Sequence, residues 1–337
     1  MRNSKADGEV ALFFTGGTIT MRPREKARGV VPGEDFERFL AEIQPHIRDV
    51  RIQAIRWADL PSPHMSPGHM FKLARDIDQK LREPGITGAV VIHGTDVLVE
   101  SAYMAYLTVR SHKPIVYTGS MRYYKEAGYD GIRNLLNSIK ACTLPLPPET
   151  GVVVLMTDRI FGARDVIKIN SLNIDAFAAP ERGLIGYVAG DEILLINPLP
   201  VAGNPLTPLI KTAQIEPNVP LIACYTGMDD YLVEKLMECG MQGLVLEAFG
   251  AGNVPPGLLP GIESAVAAGI PVVITTQCPE GGVWPIYAYP GGGADLQNRG
   301  AILAGRLSGA KARIKLMVAL GATRNPANIR KLFALDI

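Results

Sequence analysis

Gly88-Ala89-Val90-Val91-Ile92-His93-Gly94-Thr95-Asp96 joins an apolar run directly to a polar, glycine-containing turn. The run over 88–92 is continuously apolar, without the alternation of a half-exposed strand. A strand buried on both faces reads this way, and such strands belong to parallel sheets covered by helices. Upstream, 68–81 has apolar residues at helical spacing (Met70, Leu73, Ile77, Leu81), as does 34–47 (Phe36, Phe39, Leu40, Ile43), and 10–14 is a second apolar run. Downstream, the pattern predicts a helix over 97–109, a strand over 115–118, a helix over 132–141 and a strand over 152–156. Strand–helix alternation of this kind implies an α/β domain built on a parallel sheet.

Asn197-Pro198-Leu199-Pro200, followed by Gly203, Pro205 and Pro208, interrupts the alternation and reads as a linker. The pattern then resumes with strands over 221–225, 243–247 and 272–275, and helices over 231–238 and 261–268. Two closing helices are expected over 310–319 and 326–333. The expected organisation is a two-domain α/β protein: an N-terminal parallel-sheet domain over 1–195, a linker over 196–215, and a smaller C-terminal α/β domain over 216–337.

The bulk numbers narrow the function. A chain of 337 residues exceeds one typical core. Hydrophobic residues at 47% and charged residues at 20% exclude a disordered chain. A net charge of +1 gives no reason to expect a nucleic-acid partner, and the apolar runs are too short to span a bilayer. The start, MRNSKADGEV, lacks a basic segment followed by an apolar one, so no secretory signal is expected. Cys142, Cys224, Cys239 and Cys278 are widely spaced, with no metal-ligand pairing. All four read as buried thiols in a reducing cytoplasm.

In open α/β sheets, ligands bind beyond the carboxyl ends of the strands. Three apolar runs of the first domain end there in small polar residues: Thr15-Gly16-Gly17-Thr18, His93-Gly94-Thr95-Asp96 and Gly119-Ser120-Met121-Arg122. Glycines let the chain turn sharply and let a ligand approach the backbone. Threonine hydroxyls and free backbone N–H groups can attack or polarise a carbonyl. A single such turn is common, and its threonine often does no more than cap a helix. Three in one domain point to a site. Neither GxGxxG nor GxxxxGK[ST] is present, which argues against a nucleotide.

The ordered set of turns resembles the bacterial-type L-asparaginase family, which includes glutaminase-asparaginases. The matching elements are Thr15-Gly16-Gly17-Thr18-Ile19, His93-Gly94-Thr95-Asp96, Gly119-Ser120-Met121-Arg122, and Asp130-Gly131 followed by Asn134-Leu135. Arg164-Asp165-Val166-Ile167-Lys168-Ile169-Asn170 also matches, with Ala163 where the family has glycine, as do Gly250-Ala251-Gly252-Asn253 and Thr276-Gln277-Cys278. The resemblance implies a cytoplasmic amidohydrolase that cleaves the carboxamide of L-asparagine or a close analogue to the acid and ammonia.

By the same resemblance Thr18 is the nucleophile, activated through Thr95, Asp96 and Lys168, while Gly17, Ser62, Thr95, Asp96 and Ser120 bind the substrate. It implies no cofactor and no metal. The expected partners are a small-molecule amide and further copies of the chain, in a homodimer or homotetramer. A related amidotransferase subunit that acts on misacylated tRNA carries an extra domain before its TGGT element. Only fourteen residues precede Thr15 here, so tRNA is not expected.

Two departures from the family pattern stand out. Pro63 and His64 follow Ser62 where the family has a polar pair, and proline has no N–H to offer a carboxylate. No tyrosine lies between Ile19 and Trp57, where the family carries one near the nucleophile; Val30 or Val31 takes that position, and Tyr123 or Tyr124 is a conceivable substitute. The loop instead holds Arg22, Arg24 and Arg28, either a solvated lid or a counter-charge for an acidic substrate. Two alternatives therefore accompany the main expectation: an amidase of the same fold for a larger, additionally acidic or N-substituted amide, and a non-catalytic amino-acid-binding protein.

Overall fold

The computed structural model describes residues 8–24, 29–31, 36–47, 50–143, 151–190, 192–197 and 210–334. Most of the expected linker (198–209), the first two residues of the expected helix over 34–47, and Arg28 lie outside the described residues, as does the side chain of Arg24. The chain divides into two compact units, Met1–Asn204 and Pro205–Ile337.

The first unit is built on an eight-stranded sheet. Its parallel part runs β4 (Arg51–Arg56), β1 (Glu9–Phe14), β5 (Ile86–Ile92), β6 (Ile115–Thr118) and β7 (Val152–Met156). Antiparallel strands β8 (Arg159–Gly162), β11 (Gly186–Ala189) and β12 (Glu192–Leu195) continue it, making the sheet mixed. The continuous apolar runs of β5 and β7 lie at its centre, where nearly every side chain is buried. β4 was not legible as a strand: it is an edge strand of sequence RIQAIR, exposed or half-exposed throughout.

Helices α2 (Pro67–Leu81), α3 (Leu98–Thr108) and α4 (Gly131–Thr143) supply the crossovers, and α1 (Phe36–Ile43) packs Phe36 and Phe39 into the same core. Each large apolar side chain buried there contributes roughly 1.5–3 kcal/mol. The start of α2 is fixed by a reciprocal cap: Ser66 Oγ accepts from His69 N (3.2 Å), and His69 Nδ1 accepts from Ser66 N (3.3 Å). The basic segment after Ile19 forms a two-stranded ribbon of β2 (Arg22–Arg24) and β3 (Gly29–Val31). A second ribbon, β9 (Ile167–Lys168) with β10 (Phe177–Ala178), carries Lys168.

The second unit is a four-stranded parallel sheet in the order β13 (Leu221–Ala223), β14 (Leu244–Ala248), β15 (Val272–Thr276), β16 (Ile302–Leu303). It is accompanied by α5 (Tyr231–Glu238), α6 (Leu259–Ala267), α7 (Gly293–Asn298), α8 (Gly309–Ala322) and α9 (Pro326–Ala334). The short α7 and β16 carry too little apolar pattern to be read from sequence. One expectation needs correction: Cys142 and Cys224 are buried, but Cys239 and Cys278 are exposed. Cys239 ends α5 and Cys278 follows β15, so each sits on a turn outside the apolar layer. Among the described residues no helix is long and apolar enough to cross a membrane.

Candidate active site

The three polar turns are tied strand to strand at the carboxyl edge of the parallel sheet. Thr15 N and Thr15 Oγ1 both donate to Ile92 O, at 3.0 and 2.9 Å. His93 N donates to Thr118 O at 2.8 Å, and Thr118 Oγ1 donates to Leu155 O at 2.8 Å. Each turn is thus anchored to the end of the next strand. The two threonines of the first turn are thereby distinguished. Thr15 is buried and its hydroxyl proton is spent, whereas Thr18 is half-exposed and its hydroxyl makes no hydrogen bond among the described residues.

Two glycines let the turns meet. Gly17 has φ +99°, and a Cβ on it would fall 2.6 Å from both Gly94 Cα and Gly94 N. A Cβ on Gly94 would fall 2.6 Å from Ser62 Cβ. The backbones carrying Thr18, Thr95 and Ser62 therefore touch at positions that only glycine can occupy.

Lys168 reaches this junction from β9. Its Nζ donates to Thr95 Oγ1 at 3.0 Å and to Asp96 Oδ1 at 2.8 Å. The Lys168 side chain is 17% exposed and that of Asp96 57%. At that exposure the ion pair is worth at most about 1 kcal/mol to stability; its geometry is what matters. Because Nζ donates to Thr95 Oγ1, the Thr95 hydroxyl proton is free to be donated onward. Asp96 Oδ2 accepts no hydrogen bond among the described residues. Ala163, where the family has glycine, is not in a left-handed conformation, so the substitution brings no backbone strain.

The third turn is clamped from α4. Asp130 accepts from Met121 N and Arg122 N, both at 3.1 Å. Asn134 Nδ2 donates to Gly119 O and to Asp130 Oδ2, both at 3.0 Å, and Asn134 Oδ1 accepts from Thr157 N at 2.9 Å. This is the physical content of the DG and NL elements: they hold the backbone of Ser120 in place. The Ser120 hydroxyl itself is spent on Arg122 O at 2.8 Å.

Ser62 is buried at the junction, but its hydroxyl is also engaged. It donates to Gly94 O at 2.6 Å and accepts from Val97 N at 3.0 Å. Its backbone N–H makes no hydrogen bond among the described residues. The His64 side chain is exposed, and its backbone N–H is spent on Pro61 O at 2.9 Å. Tyr124 does not reach the threonines: it is buried against Phe39 and Tyr129, with the Arg22 guanidinium 4.6 Å from its ring centroid. The tyrosine that does reach the turn of Thr18 is Tyr129, whose hydroxyl donates to Ile19 O at 2.6 Å. Burial raises its pKa far above the usual phenol range, so it stays neutral.

His93 is 1% exposed. Its Nδ1 lies 2.7 Å from Gly94 O, as a donor to that carbonyl, and Nε2 has no partner among the described residues. Burial pushes its pKa down from 6.5 to about 4. Between those values the unfolded chain binds a proton at this histidine and the folded protein does not. Stability is therefore complete above about pH 6.5 and is lost as pH falls towards 4, by up to about 3 kcal/mol from this group. Urea midpoints at pH 7 and pH 4.5 are expected to show this loss in the native protein and a smaller one in His93→Asn. Equal losses in the two proteins would remove the assignment.

Among the described residues no group of three or more His, Cys, Asp or Glu side chains is arranged to hold a metal. In the second unit, Asn253 lies in the turn after β14, where Asn253 N donates to Phe249 O at 2.8 Å. Gln277 follows β15 and donates from Nε2 to Cys224 O (2.6 Å) and Glu247 O (3.0 Å). Those two motifs thus also sit at strand carboxyl ends.

Comparison with known proteins gives a consistent picture. The family model described as "Asparaginase, N-terminal" matches residues 9–200, and the "Glutaminase/Asparaginase C-terminal domain" matches 218–333. The L-asparaginase of Bacillus licheniformis is 34% identical over 93% of this chain and 96% of its own length. The probable L-asparaginase of Deinococcus radiodurans is 35% identical over 97% and 98%. The crystal structure of a probable cytoplasmic L-asparaginase from Campylobacter jejuni superposes with a TM-score of 0.82 at 29% identity, covering 97% of this chain and 99% of that one.

Proposed function

The chain belongs to the asparaginase family and is an amidohydrolase, and from that premise we propose that it hydrolyses the side-chain carboxamide of L-asparagine to aspartate and ammonia, with Thr18 as nucleophile. The observation that carries the residue roles is the Lys168 Nζ to Thr95 Oγ1 hydrogen bond beside the Gly17–Gly94 contact. Once Lys168 has lost a proton to solvent, the Thr18 hydroxyl attacks the carboxamide carbon, its proton passing to Thr95 Oγ1 while the Thr95 proton passes to Lys168 Nζ. Thr95, held as an acceptor by Lys168, returns a proton to the departing nitrogen as ammonia leaves. Water then hydrolyses the acyl-enzyme ester. Backbone N–H groups of Thr18 and Thr95, which make no hydrogen bonds among the described residues, polarise the carbonyl.

The free oxygen of Asp96 suits an α-ammonium group. Ser62 serves the α-carboxylate with its backbone N–H, since its hydroxyl is committed, and the Ser120 carbonyl accepts from the carboxamide nitrogen. We further read the enzyme as cytoplasmic, on its likeness to the Campylobacter jejuni protein. It is read as a homodimer or homotetramer, which accords with the exposed Ile286, Tyr287 and Tyr289 on the second unit. Ammonia release measured across asparagine, glutamine, N-substituted and additionally acidic amides tests the substrate. Strongest turnover of asparagine is expected; turnover confined to the other amides would replace asparagine with that class, and none at all would remove catalysis.

A further inference from the structure

We propose that His93 is a positioning residue for this reaction: by holding the Gly94 carbonyl jointly with Ser62, it fixes the peptide that aims Thr95. The proposal rests on the asparaginase reading of the site. Gly94 O accepts two hydrogen bonds, from Ser62 Oγ at 2.6 Å and from His93 Nδ1 at 2.7 Å. These occupy both lone pairs of the carbonyl oxygen. The Gly94 carbonyl and the Thr95 N–H belong to one planar trans unit and point in opposite directions. Fixing one end fixes the other.

The need for such a clamp follows from the glycine. A Cβ on Gly94 would fall 2.6 Å from Ser62 Cβ and 3.1 Å from Ser62 Cα and N, so this position stays glycine. A glycine at a turn leaves its flanking peptides free to rotate, so the rigidity a side chain would supply has to come from hydrogen bonds. His93 is suited to this. Its own backbone N–H is tied to Thr118 O at 2.8 Å, and its ring is fully enclosed, 6.1 Å from the ring centroid of the buried Tyr117. Lys168 holds Thr95 from the side-chain end, at Oγ1. Thr95 is thus fixed at its hydroxyl by one residue and at its backbone by a second that never meets the substrate.

The test compares His93→Asn with His93→Gln. The asparagine amide nitrogen falls near the place of Nδ1, whereas that of glutamine lies one bond further out. Steady-state ammonia release from asparagine is measured together with the Thr95 backbone amide resonance of the 15N-labelled protein. His93→Gln is expected to lower kcat by about tenfold or more with KM changed by less than about threefold, while His93→Asn keeps most of the native kcat. The Thr95 resonance should move in the glutamine variant and return in the asparagine variant. Equal behaviour of the two variants in both measurements, or an effect on KM alone, overturns the proposal. A native enzyme that releases no ammonia from any amide would instead count against the asparaginase reading, and the Thr95 resonance would still decide the role of His93.

Discussion

Thr18→Ala is expected to lower kcat for asparagine by about four orders of magnitude while leaving aspartate binding within about threefold of the native value. The Thr18 hydroxyl makes no hydrogen bond among the described residues, so its removal should leave stability nearly unchanged. The sharp control is Thr15→Val in the same turn. Thr15 Oγ1 donates to Ile92 O in a buried setting, so that variant should lose about 1–2 kcal/mol of stability and keep most of its turnover. Burst kinetics, product-binding calorimetry and urea unfolding together separate the two. If the effects were exchanged, with Thr15 essential and Thr18 dispensable, the nucleophile would be misassigned.

Lys168→Met should lower kcat by about two to four orders of magnitude. It removes the donor to Thr95 Oγ1 and the cation beside Asp96, both within 3.0 Å of Nζ. Thr95 is buried, so no bulk water stands ready to replace that donor. Lys168→Arg is not expected to restore activity, because a planar guanidinium cannot reproduce a compact ammonium placed between two acceptors and does not give up its proton. KM for asparagine should also change, since Asp96 loses the partner that orients it. A methionine variant within about threefold of native kcat would show that the lysine is only a surface ion pair.

The alternating apolar runs made the layered α/β architecture legible, because burial on two faces of a sheet demands uninterrupted apolar sequence. They did not announce β4, whose edge position lets it stay polar, nor the short β16. Among the proposed site residues, Thr18, Thr95, Asp96 and Lys168 stood out only as members of an ordered motif set. Taken alone, Lys168 is one of many lysines, and nothing local ties it to residues more than seventy positions away. Ser62 illustrates the limit. Its position was readable, but the engagement of its hydroxyl with Gly94 and Val97 depends on a contact across thirty residues or more. His93 was legible only as the first residue of its motif, and Tyr129 carried no local signal, since a histidine at a strand end and a tyrosine in a turn acquire their roles from the carbonyls they meet.

Local sequence was enough for the strands buried on both faces, for the longer helices and for the small residues that end three strands, because periodicity and backbone sterics act over a few residues. Tertiary structure alone decided which of two threonine hydroxyls is left unspent, which oxygen Lys168 meets, and what holds the Gly94 peptide. Those outcomes depend on which distant donors and acceptors are buried together, and a buried polar group must take whatever partner the packing brings.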